Sequence, residues 1–157
     1  MWLDDRLIEY LHRPLMCLIA ATDETGRPIA GRGVGLHVLE DRETIEVVFS
    51  AWQWPRLESS IRQTGRLAVT FVSPPDYVSF QLKGSAAMRE IAAHDLDCAG
   101  RFMAATTNVL ASLGIPRSNI APWFTDREAR VARLNVREIY IQTPGPQAGM
   151  LAGMRSQ

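Results

Sequence analysis

Arg32 stands in a run whose other side chains are mostly small or apolar, Ile29-Ala30-Gly31-Arg32-Gly33-Val34-Gly35-Leu36-His37-Val38. Alternation along a strand puts Arg32 on one side with Val34, Leu36 and Val38, and leaves Gly31, Gly33 and Gly35 on the other. A guanidinium is always charged, and burying it beside Val and Leu is costly unless an anion or a set of acceptors meets it. Two readings answer that cost. Either Arg32 forks onto an anionic ligand, or it reaches water at a strand end or pairs with a local carboxylate such as Glu46. Further donors stand on neighbouring elements. Ser50 and the backbone after it close one strand, Arg56 or Arg62 adds charge on a short helix, and Gln81 with Lys83 offers an amide and an ammonium. Arg56 and Arg62 also suit a solvated helix face. Trp52 and Trp54 can stack on a ring or fill an interface.

Other chemistries find less support. There is no Gly-x-Ser-x-Gly, and Ser, His and acidic residues form no diagnostic group, which argues against a hydrolase. His12, His37 and His94 are too far apart in sequence to imply a metal site, and none is expected. Gly31, Gly33 and Gly35 lie within a strand rather than a strand-to-helix turn, so they do not make a phosphate loop. They read as a bulge or tight bend, or as room for a flat ligand. No side chain stands out as a catalytic base; His37 and Tyr77 are candidate proton donors that equally suit surface and packing roles.

The elements that must position these residues follow from periodicity. The 157 residues fit one domain, 1–157. Seventeen Lys and Arg balance seventeen Asp and Glu, so neither nucleic acid nor an anionic membrane is expected as a partner. Cys17 and Cys98 read as small packing residues rather than a disulfide frame. No basic leader followed by a long apolar run opens the chain, and a soluble, cytoplasmic protein is expected. Leu3, Leu7, Ile8 and Leu11 predict a helix that ends before Pro14. Strands are expected over 15–21, around Arg32, and over 44–50, as a meander. Pro55 starts a short helix that Gly65 ends, and strands follow over 67–71 and 77–87. Asp95 is the expected N-cap of a helix near 95–113, stopped by Gly114 and Pro116. Residues 118–127 look irregular and 131–142 form a sixth strand, with a Pro- and Gly-rich tail beyond. The fold class is mainly β, a small antiparallel barrel of about six strands with few helices.

The order Leu18-Ile19-Ala20-Ala21-Thr22-Asp23, Gly26-Arg27-Pro28, the Arg32 strand, Val47-Val48-Phe49-Ser50, Gly65-Arg66-Leu67-Ala68-Val69-Thr70-Phe71 and Phe80-Gln81-Leu82-Lys83-Gly84 resembles the pyridoxamine-5′-phosphate oxidase-like family over roughly residues 10 to 90. The resemblance implies a split β-barrel homodimer with FMN at the subunit interface. It also implies an oxidoreductase passing electrons between a reduced nicotinamide and a small acceptor, the chemistry coming mainly from the flavin. Carried onto this sequence, the flavin contacts fall on Arg32, Ser50, Arg56 and Gln81, with the backbone of Gly33 and Val34 beside the ring and Ala51 and Trp52 next to Ser50. Many relatives carry a compact Ser-x-Lys or Ser-Arg-Lys here, whereas this chain places Trp52-Gln53-Trp54-Pro55 before Arg56. The long C-terminal substrate segment of the true oxidases has no counterpart. Related barrels take a deazaflavin or haem instead, and a non-enzymatic dimer whose pocket Trp52 and Trp54 block is the remaining reading.

Overall fold

The computed structural model describes residues 3–154; Met1 and Trp2, at the head of the segment read above for a leader, and residues 155–157 lie outside them. Seven strands are present among the described residues: β1 Met16–Thr22, β2 Pro28–Val38, β3 Thr44–Ser50, β4 Arg66–Val72, β5 Ser79–Arg89, β6 Ala129–Ile141 and β7 Leu151–Met154. They form one antiparallel sheet in the order β3-β2-β1-β4-β5-β6-β7. Because β3 also pairs with β6, from Thr44 opposite Asn135 to Ser50 opposite Ala129, the first six close into a barrel and β7 rides on its edge.

The interior is made by the inward half of each alternation. Cys17 and Ile19, Ile45 and Phe49, Val69 and Phe71, Leu82 and Leu134 are almost fully buried in one cluster. Each large side chain there contributes about 1.5–3 kcal/mol of burial. α1 (Asp5–Leu11) adds Leu7 and Leu11 to this cluster, and α2 (Leu57–Thr64) adds Leu57 and Ile61. Gly65 ends α2 in a left-handed conformation with φ 63°, the geometry glycine takes most readily. Burial pushes the Cys17 thiol up to about 12, so this cysteine is a packing group. α3 (Ala93–Ser112) lies over β2 and β3, where Val34, Val48, Ala99 and Val131 form a second, smaller cluster outside the barrel.

Four expectations need correction. Arg32 does not share a face with Leu36 and Val38. A bulge between Gly33 and Gly35, where β2 meets β3, inserts Val34 and reverses the alternation, so Leu36 and Val38 pack on the interior cluster while Arg32 and Val34 face out. Glu46 is not the partner of Arg32 either; it pairs with Arg89 and Arg133. Asp95 is the third residue of α3 rather than its cap, its carboxylate accepting from the Ala92 N–H at 2.8 Å. Residues 117–123 are helical instead of irregular: α4 (Arg117–Ile120) starts after Pro116 and runs into a 3-10 turn at Ala121–Trp123 that contains Pro122.

The glycines of β2 serve packing. A Cβ on Gly33 would stand 2.5 Å from Cys17 Sγ, and one on Gly31 would stand 2.5 Å from Leu57 Cδ1. Gly33→Ala is expected to cost about 1–3 kcal/mol in urea unfolding, as overpacking does.

At the start of α3 four charges interlock. The buried Glu46 carboxylate accepts from Arg89 Nε at 2.9 Å and Nη2 at 2.8 Å and from Arg133 Nη2 at 2.7 Å, and Arg89 Nη2 reaches the buried Asp95 at 2.7 Å. The network ties β3, β5, β6 and α3 together. Hydrogen bonds from Arg89 hold both carboxyls below the ordinary carboxylate range. Their contribution is therefore complete above the unfolded values of about 4 and is lost as pH falls below that through the folded values. Glu46→Gln should cost about 3 kcal/mol at pH 7, and the gap from wild type should narrow at pH 3 in denaturant titrations.

Candidate functional site

The outward half of the alternation makes an open face. Arg32 lies opposite Leu18, Leu18 opposite Thr70, Thr70 opposite Gln81 and Gln81 opposite Tyr140, one row across five strands. The adjoining row runs Ala30, Ala20, Ala68, Lys83 and Glu138. Leu18, 44% exposed, stands in the middle of small neighbours, so the floor is flat and apolar. Gln81 Nε2 donates to Thr70 Oγ1 at 3.0 Å, which orients the carboxamide and leaves its oxygen as an acceptor. The Lys83 ammonium sits 4.7 Å over the Tyr140 ring, and the Tyr140 hydroxyl donates to Glu138, whose carboxylate pushes the phenol pKa up.

Arg32 closes the other end of the row. Its guanidinium lies 5.9 Å from the Trp54 ring and 5.7 Å from the Trp123 ring, and Nη1 donates to the Trp123 carbonyl at 3.3 Å. No carboxylate of the described residues comes within 4.0 Å of it. Its Nε is buried without an acceptor, as is Trp54 Nε1, and Gln53 Oε1 is buried without a donor. Gln53 spends its amide nitrogen on the Pro122 carbonyl at 3.0 Å. Such atoms are uncommon in native structures, and of the five among the described residues three belong to Arg32, Gln53 and Trp54.

Of the residues singled out by sequence, Arg32 and Gln81 share this row. Gly33 faces the interior and the Val34 side chain is covered beneath α3. Ser50 is fully buried: its hydroxyl donates to the Arg127 carbonyl at 2.6 Å and accepts from the Gln53 N–H at 3.1 Å. The Ala51 N–H donates to the Glu128 carbonyl, Trp52 is half exposed beneath Arg127, and Arg56 pairs with Asp23 at 3.2 Å. Tyr77 is exposed in the turn before β5, and His37 is exposed beyond the bulge of β2. Thr70 is readable from alternation; Leu18 lies in an all-apolar run, Tyr140 in a strand marked only by its β-forming residues, and Trp123 in a segment without periodicity. Among the described residues no three His, Cys, Asp or Glu side chains gather as a metal site. None of the described helices is long and apolar enough to cross a membrane.

No family model and no curated protein matches the chain. Solved structures do. HupZ of Group A Streptococcus superposes with TM-score 0.57 at 16% identity, covering 94% of this chain and 100% of that one. A Lactobacillus delbrueckii protein assigned as a pyridoxamine 5′-phosphate oxidase gives 0.52 at 15% identity, over 88% and 93% of the two chains. A pyridoxamine 5′-phosphate oxidase-related, FMN-binding protein from Nostoc punctiforme gives 0.50 at 15% identity, over 85% and 80%. The chain thus has the split-barrel fold of the pyridoxamine 5′-phosphate oxidase-like proteins.

Because its hydroxyl is committed at both ends, Ser50 is a structural residue. Ser50→Ala should lower stability by about 1–2 kcal/mol in thermal or urea unfolding, whatever ligand is present.

Proposed function

We propose that the chain is an FMN-binding oxidoreductase, acting as a homodimer that buries the open sheet face, with electrons passing from a reduced nicotinamide to a small acceptor. The observation that carries this reading is the row from Arg32 to Gln81. It joins a cation without a carboxylate to a flat apolar floor and then to an oriented amide. Three strand spacings of about 4.8 Å separate its ends by about 14 Å, which suits a ligand with a phosphate at one end and a ring at the other. The similarity in fold to a protein described as FMN-binding supports it.

The residues fit such a cofactor at Arg32, on the floor and at Gln81, and do not fit it at Ser50 and Arg56, whose polar groups have partners within the chain. Bound FMN would supply hydride and electron transfer. Arg32 holds the phosphate by a charge-assisted fork. Leu18, with Ala20, Ala30 and Ala68 around it, would keep water from the ring, and the Gln81 oxygen would be the acceptor offered to it. Lys83 and Tyr140 border the far end of the row.

Purified protein, or protein mixed with FMN, should show flavin absorbance, and Arg32→Ala should weaken FMN binding by about 10–100-fold, the loss of one charged contact. A deazaflavin or haem spectrum replaces the cofactor and keeps the barrel reading; a colourless protein that takes up none of the three overturns the enzyme reading. Light scattering at micromolar concentration should give a dimer, and Leu18→Asp, a charge at the centre of the open face, should give a monomer. A wild-type monomer would count against the shared interface.

A further inference from the structure

We propose that the turn Ala121–Trp123 forms a cover over an anion site on Arg32, with Trp123 as its stopper, and that a phosphomonoester dianion enters by displacing it. The inference rests on the reading that Arg32 takes a phosphate, and it names what selects that ligand.

In the closed arrangement Arg32 is poorly served. Its Nε is buried with no acceptor, and Nη1 has a long bond, 3.3 Å, to the Trp123 carbonyl. Trp54 Nε1 and Gln53 Oε1, beside it, are buried and unpartnered as well. A buried polar atom without a partner costs stability, so the closed state carries a penalty that opening removes. Meanwhile the Trp123 indole lies against the guanidinium, in a contact worth less than a charge-assisted fork.

The cover itself is lightly held. Of residues 116–124 only Ile120 is buried, while Ala121 and Pro122 are exposed and Trp123 is partly covered. Besides Arg32, Gln53 holds the turn through the Pro122 carbonyl, while on either side of it Arg117 donates to Asn108 of α3 and Phe124 packs against the cluster around Val34 and Val48. The flanks are firmer. Ile120 anchors one end, and the backbone of Arg127 and Glu128 is bonded to Ser50 and Ala51 at the other. The turn between Ile120 and Phe124 is held to the barrel by side-chain bonds to the Pro122 and Trp123 carbonyls, so it can move off Arg32 without unravelling the barrel. A dianion with three acceptor oxygens repays the displaced contacts; a neutral ring bearing no phosphate does not.

The test is a titration of wild type, Trp123→Ala and Gln53→Ala with FMN, riboflavin and inorganic phosphate, read by flavin fluorescence and calorimetry. Trp123→Ala should bind FMN about tenfold more tightly than wild type, and Gln53→Ala should move the same way by a smaller factor. Riboflavin should bind more weakly than FMN throughout; equal affinity would remove the phosphate from Arg32 and overturn the proposal. Unchanged or weaker FMN binding by both folded variants overturns the cover while the FMN reading stands. Phosphate binding gained by Trp123→Ala when no form binds FMN keeps the cover and ends the FMN reading. If neither FMN nor phosphate binds any of the three, both fall. Should Trp123→Ala fail to fold, Gln53→Ala decides.

Discussion

The pairing of β3 with β6 constrains everything else in the molecule. By closing the sheet it makes an interior that Phe49, Phe71, Ile19 and Leu82 fill, with Cys17 pressed against Gly33. A filled barrel has no room for a ligand inside, so chemistry is confined to what faces outward. One part of the outer surface is taken by α3 and the cluster around Val34. Between α3 and the turn over Arg32 on one side and β6 on the other, the outward residues of β1, β4 and β5 stay at least partly exposed, and there the charged, amide and small side chains fall into register.

How much of this was legible in the sequence differs from residue to residue. Where alternation is strict the strand can be read directly, with Val69 and Phe71 inward and Thr70 outward; Met16 to Ala21 are all apolar, so nothing in that run tells that Leu18 faces out while Cys17 and Ile19 face in. Arg32 reads as a cation in need of an explanation, yet alternation gives it the wrong facial neighbours beyond Val34. A bulge is set by the partner strand, through how Gly33 and Gly35 meet Phe49 and Val48, and periodicity within one strand carries no information about it. Gly65 was legible as a helix stop because its conformation is a local matter. The partners of Glu46 were not, since Arg89 and Arg133 lie 43 and 87 residues away along the chain.

The site shows the same division. Arg32 and Gln81 fall in one row, as strand positions imply. The expected use of Ser50 depended on a hydroxyl being available, and the Arg127 carbonyl, from a segment with no repeating pattern, engages it. Trp123 comes from that same segment. Loops without periodicity are therefore where tertiary contacts rewrote the reading, at Ser50 and at Arg32 alike.

Closure also sets the order in which the molecule can be made. β3 is complete at Ser50, and its partner begins at Ala129, so the strand that seals the barrel comes late in the chain. Until β6 arrives, the meander of β1 to β3 leaves one edge of β3 unpaired and its inner face open to water. Pairings between segments so distant in sequence form slowly, because a long loop must be closed before any contact rewards it. The nascent chain thus passes through an interval in which β3 is a sticky edge, open to pairing with other chains until β6 covers it.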